Sequence, residues 1–387
     1  MKMAGKFIWT VAGLFAVGTL QAQTITFGSM PFTAGDLVLY QVGDGSTTLG
    51  TASAVVFLDE YSESGSLIGQ MEMPTSAVGS QAALTAQGNS ASEGLLTISP
   101  NEQYIAITGY GVAPGAASPS TTAADSRVVG ILNVANGHLD TSTALTDEST
   151  TSSFRSAITT DGTKIWVTGG ATGVRYTTLG STTSLSLTNA GNNRQIAIYP
   201  TAANPGGQLM LSTASGGFRL ANLGSGLPTT SGQVPSLVPG TTATSPSGPY
   251  AFVQLTLGSG SIPDTMYVAD DGNSSVEKWS LVGGNWVMTG SEALTAPRGI
   301  TAVETNGMVD VFVTAGSSSV ISNIVEFTDA SGLDGTFVSS TNIITQLPAN
   351  EQFRGVVDLT LVPEPSTVML VGMGLVGGLL ALRRRRS

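Results

Sequence analysis

Three kinds of side chain could do chemistry in this chain: acids, arginines and a single histidine. Cysteine is absent from all 387 residues, which removes disulfides, thiolate metal sites and a cysteine nucleophile. His138 lies in Asn136-Gly137-His138, a turn sequence. A serine triad or a histidine metal site needs partners that nothing in the chain places beside it, so His138 reads as an exposed turn residue. Carboxylate pairs suffice for glycoside cleavage or for calcium. The candidates are Asp59-Glu60, Asp147-Glu148 and Asp270-Asp271-Gly272-Asn273. None has the alternating acid spacing of an EF-hand loop. Each reads first as a turn in which Asp and Asn bond their own backbone. Asp270 and Asp271 are the weak metal candidates, and no cofactor other than calcium is expected.

The arginines carry a pattern. Glu93, Arg155, Arg194, Tyr250, Arg298 and Arg354 each open a short β-type segment: EGLLTIS, RSAITT, RQIAIY, YAFVQLTL, RGITAV and RGVVDLTL. A second apolar segment follows each of the first five, as in Ile165-Trp166-Val167-Thr168 or Val311-Phe312-Val313-Thr314, and then a third, as in Arg127 to Val134. Repeats of several antiparallel strands indicate propeller blades. The sixth repeat has only its first strand, from Arg354 to Leu361. Its missing partners stand at the start of the body, at Leu37 to Gly45, Ala54 to Leu58 and Ser66 to Met71. Pairing the two ends in one blade removes the exposed sheet edges of an open array. The expected fold is therefore all-β, a six-bladed β-propeller with a shared closing blade. A pair of sandwiches or a β-helix is the alternative.

In such a ring the six opening residues face a common axis near one channel mouth. Four of them are arginines, out of nine basic residues between Gln23 and Leu361. They could hold a carboxylate or phosphate, whose geometry guanidinium matches. They could equally bond carbonyls and acids of the next blade and lock the ring, which is the reading favoured here. Two stretches rich in Pro, Gly, Ser and Thr, from Gly111 to Ser126 and from Gly224 to Pro249, read as long surface loops.

Composition supports a turn-rich β body. Charged residues make up 11% and apolar residues 41%, so the chain suits neither a disordered polyelectrolyte nor a polytopic membrane protein. The net charge is −11, and six of the fifteen basic residues lie at the extreme ends. So acidic a body is repelled by phosphate backbones, and no nucleic-acid partner is expected.

Both ends carry targeting features. Lys2 and Lys6, the apolar run from Phe7 to Leu20, and Gln21-Ala22-Gln23 give the order of a secretory signal peptide, with cleavage expected after Ala22. A retained anchor is the alternative. At the other end Val362-Pro363-Glu364-Pro365 precedes an apolar stretch from Val368 to Leu382, then Arg383, Arg384, Arg385 and Arg386. This order predicts a transmembrane helix held by a cytoplasmic basic cluster. Expected domains are 1–22 (signal helix), 23–361 (propeller body) and 362–387 (tail).

The tail resembles the PEP-CTERM sorting signals. That resemblance implies recognition by a membrane exosortase near Pro363, Glu364 and Pro365, removal of the tail, and delivery to the envelope or exopolysaccharide matrix of a Gram-negative bacterium. An ordinary membrane anchor is the plainer reading. Asp264 to Val276 and Pro297 to Val303 are similar to NHL-type propeller repeats, which speaks for the fold and no activity. The expected function is a non-catalytic scaffold or binding module for polysaccharide or another envelope protein. A carboxylate- or calcium-dependent enzyme acting on polysaccharide or a lactone is the alternative.

Overall fold

A computed structural model describes residues 32–148, 152–317 and 320–359. Six four-stranded antiparallel sheets, each a blade, stand around a central channel. In chain order, blade 1 comprises Thr97–Ile98, Tyr104–Tyr110, Arg127–Asn133 and His138–Leu145. Blade 2 comprises Phe154–Thr159, Lys164–Gly169, Val174–Thr178 and Leu185–Thr188, and blade 3 Asn193–Tyr199, Gln208–Thr213, Leu220–Leu223 and Pro235–Leu237. Blade 4 is Pro249–Leu255, Thr265–Asp270, Ser275–Val282 and Asn285–Ala293. Blade 5 is Ile300–Thr305, Met308–Gly316, Ile321–Asp329 and Ser340–Gln346.

Blade 6 takes its innermost strand, Gln352–Asp358, from the end of the body, and Asp36–Val42, Val56–Ser62 and Leu67–Glu72 from the beginning. Leu37 pairs with Asp358 and Val38 with Val357, so the last blade is closed across the two ends of the body. In an open array the two end blades would each leave one face uncovered, and this closure buries both. No helix occurs among the described residues. The signal helix and the tail helix, with Ala22, Pro363, Glu364, Pro365 and Arg383 to Arg386, lie outside them.

Why these residues make blades is visible in their burial. Second strands such as Ile105-Ala106-Ile107, Ile165-Trp166-Val167 and Tyr267-Val268-Ala269 are buried on both faces, because each blade packs against two others. Outer strands alternate or are largely exposed, as in Leu185–Thr188. Gly355 marks the tightest approach of blade 6 to blade 1, where its amide donates to Gly94 O at 2.9 Å. A Cβ there would collide with the backbone of Leu96 and Gly94.

Two expectations need correction. Ala54 belongs to a separate two-stranded ladder with Ala86, and the third strand of blade 6 begins at Val56. The stretch from Gly224 to Pro249 is not all loop, since Pro235–Leu237 is the outer strand of blade 3. The stretch from Gly111 to Ser126 is a mostly exposed loop without strands, as expected, and Arg127 is buried beneath it. That guanidinium, 1% exposed, donates to the carbonyls of Pro119, Ser120, Thr122 and Asp125, and lies 5.0 Å from the Tyr110 ring centroid. A loop poor in apolar side chains is thus ordered by its own carbonyls converging on one buried cation.

Candidate functional site: a plugged channel

Every innermost strand runs from one face of the ring to the other, and the six predicted opening residues come together at the face where those strands start. Ladder register explains how they are aimed. In blades 2, 3, 4 and 6 the pairing of the innermost strand slips between Phe154 and Ser156, Asn193 and Ile196, Pro249 and Phe252, and Phe353 and Val356. Arg155, Arg194, Tyr250 and Arg354 each sit inside such a bulge. A bulge turns a side chain out of its regular alternation.

Tyr250, 6% exposed, is the centre of the cluster. The guanidinium carbons of Arg194 and Arg298 lie 3.4 and 4.0 Å from its ring centroid. Two guanidinium groups that close to one ring cannot share a face without overlapping, so they clasp it from opposite sides. Arg298 also donates to Ala91 O at 3.1 Å, Pro297 O at 2.9 Å and Asp271 Oδ1 at 2.6 Å. Arg155 reaches blade 3 at Asn192 Oδ1 and Asn193 O, and Arg354 reaches Gly88 O at 3.0 Å. Glu93, 2% exposed, accepts from the Tyr110 hydroxyl at 2.7 Å.

Electrostatics follow from this crowding. Burial lowers Arg194 to about 9, helped by the like charges of Arg155 and Arg298. Burial lowers Arg354 to about 10, opposed by Glu93. Burial raises Glu93, while Tyr110 and Arg354 oppose the rise. Three of the arginines thus bond backbone or side chains outside their own blade, and the fourth stacks on the next blade's tyrosine. Arg194 Nε and Nη1 and Arg354 Nε and Nη1 are buried without hydrogen-bond partners. The cluster fills the mouth and forms a plug.

Below the plug the channel is a cup of about 300 Å³. All six innermost strands line it, with Ile98, Ile158, Val253, Leu255, Ile300 and Val357 among the apolar contributors. The innermost strand of each sheet has a free ladder edge, and these edges turn backbone amides and carbonyls toward the axis. At the far rim stand Glu102 and Asp358. Glu102 holds a left-handed backbone with φ 56° in the turn that follows Thr97–Ile98. Its carboxyl is raised by burial and by Asp358, and its Oε2 has no partner. Sequence patterns gave no sign of this pair, because the two residues are 256 positions apart and meet only through ring closure.

The predicted carboxylate pairs are not brought together at the channel. Asp59 and Glu60 are successive strand residues and point to opposite faces. Asp59, fully buried, accepts from Gln70 and is raised to about 7 by burial. Asp147 pairs with Arg175 at 2.9 Å, and Glu148, accepting from Thr172, is also raised to about 7 by burial. Asp270 accepts from the amides of Ser247, Gly248, Gly272 and Asn273 and from Asn273 Nδ2, while Asp271 pairs with Arg298. These two acids hold the turn and the plug in the described structure. Among the described residues no three His, Asp or Glu side chains gather as metal ligands. His138 begins the outer strand of blade 1 and is exposed, away from the channel.

Residues 361–386 match the PEP-CTERM protein-sorting motif. The chain is therefore exported, anchored in the membrane before processing, and handled by an exosortase, a membrane protease. No characterised protein sequence matches it. Among solved structures it is similar to a chain of the nidogen/laminin complex (11% identity, 83% of this chain and 97% of that one, TM-score 0.47). It is also similar to a putative 6-phosphogluconolactonase of Bacteroides uniformis (11% identity, 83% and 100%, TM-score 0.41). A third likeness is to the periplasmic gluconolactonase PpgL of Pseudomonas aeruginosa (10% identity, 82% and 99%, TM-score 0.38). Likeness of this degree transfers neither a reaction nor the role of any residue.

Proposed function

We propose that the exported body is a non-catalytic binding module whose ligand enters the cup from the rim, while the arginine plug serves as a lock. The carrying observation is the asymmetry of the channel: one mouth is filled by side chains bonded from blade to blade, and the other opens onto strand edges flanked by two acids. Backbone edges bond hydroxyl and amide groups. Carboxylates at the rim attract cations and repel anions. The volume is at the lower end of small-ligand pockets. The matching ligand is a neutral or amino-bearing sugar unit at the end of an envelope or matrix polysaccharide.

Thermal melting of residues 23–359 with glucose, glucosamine and glucuronate tests this. Glucosamine and glucose should raise the melting temperature in that order, glucuronate should not, and Glu102→Gln should remove the preference for the amine. A rise with glucuronate or phosphate alone would move the ligand to the plug and overturn the reading.

A second reading has one observation in its favour. Glu102, raised and facing Asp358, is an acid of the kind that hydrolytic sites use. Product analysis with a lactone and with matrix polysaccharide separates the two. Turnover that disappears in Glu102→Gln would establish the enzyme. Unchanged substrate leaves the binding module.

A further inference from the structure

The innermost strand of blade 6 runs from Arg354 in the plug to Asp358 at the rim of the cup. The described body therefore ends at the open face, beside its beginning: the Gly35 amide donates to Leu359 O at 2.8 Å. Eight residues, 360–367, separate Leu359 from the apolar stretch that starts at Val368. From Leu359 to Val368 there are nine Cα–Cα steps, which span at most about 32 Å whatever their conformation.

To turn the plug face toward the bilayer, the chain would have to pass around a blade. That path runs outward past the three strands beyond Gln352–Asp358, roughly 14 Å, and then down a seven-residue strand, a further 23 Å or so. The linker cannot cover it. Acids surround the exit as well: the Glu63 carboxyl is raised by burial and then by Asp358, Asp310, Glu326 and Asp36.

We propose that the open rim of the cup faces the membrane in the tethered precursor, so that removal of the sorting tail is the step that exposes the cup to macromolecules. The orientation follows from strand direction and linker length; the consequence for ligand rests on the function proposed above.

The absence of cysteine makes the test direct. Ala202 is exposed in the rim-side turn between Asn193–Tyr199 and Gln208–Thr213, and Ala171 is exposed in the plug-side turn between Lys164–Gly169 and Val174–Thr178. Ala202→Cys and Ala171→Cys would be made in the chain 23–387, carried in liposomes of anionic lipid, and in the released body 23–359. Each would be reacted with a maleimide on a long polyethylene glycol and with a small maleimide. The bulky reagent should modify Ala202→Cys several-fold more slowly in the tethered chain than in the released body. At Ala171→Cys, and with the small reagent at either site, the rates should match. Equal slowing at both sites, or greater slowing at Ala171→Cys, overturns the orientation. These rates do not depend on ligand, so a failed sugar titration with the expected labelling pattern would remove the binding reading alone.

Discussion

Asp59 and Glu148 are where single residues should announce themselves in solution. Their carboxyls rise from 3.8 and 4.5 to about 7 because burial disfavours the charge. A group raised in the folded state adds stability that is complete below its unfolded value and is lost as pH climbs through the folded one. The released body should therefore melt highest near pH 4 to 5 and progressively lower toward pH 8. Asp329, lowered by the Lys278 amine and by Ser331 and Tyr267, sets the opposite trend at more acidic pH. Asp59→Asn, which relieves the unpartnered Oδ2, should flatten the slope and gain about 1–3 kcal/mol at pH 8. Denaturant melts across that range check both. At the plug, Tyr250→Ala leaves Arg194 and Arg298 facing each other across a cavity and should cost about 3–5 kcal/mol, whereas Tyr250→Phe should cost under about 1. The residue types of the plug were legible from their recurrence at the head of each repeat. Their bonding across blades was the favoured reading; that Arg194 and Arg298 would clasp Tyr250 was not legible, because it depends on bulges that no residue type in the sequence marks.

At the scale of elements, the strands that carry two buried faces announced themselves as short β-branched runs. The outer strands did not. Leu185–Thr188 and Pro235–Leu237 bury little and resemble the surrounding loops in composition. The segment from Gly111 to Ser126 is the surface loop expected; what sequence does not display is the set of its carbonyls that converges on the buried Arg127. Arg127→Met should keep blade 1 but release this segment. Limited proteolysis is expected to cut first between Gly111 and Ser126 in the variant and elsewhere in the wild type. Glycine at the blade 6 to blade 1 seam makes a sharper case. Gly355→Ala places a Cβ into the backbone of Leu96 and Gly94 and should abolish the cooperative melt, while Gly206→Ala, with open space around it, should leave it intact.

On the scale of the whole molecule, six blades and their closure were readable because the last repeat lacked partners that the start of the body supplied. The cup was not readable. It is formed by residues from all six repeats that share no motif, and its rim acids, Glu102 and Asp358, become neighbours only when the ring shuts. The same closure brings both ends of the body to the open face, which links export, anchoring and ligand access in one geometry. The proposed function requires that the open end of the channel, not the plug, receives ligand. Methyl NMR of residues 23–359 titrated with glucosamine tests it most directly. The resonances of Ile98, Val253 and Leu255, which are half-buried in the cup wall, should move together and saturate, while those of the exposed outer-strand residues Leu185, Leu237 and Ile343 stay fixed. Movement confined to the outer strands, or no movement of the cup at saturating sugar, would contradict it.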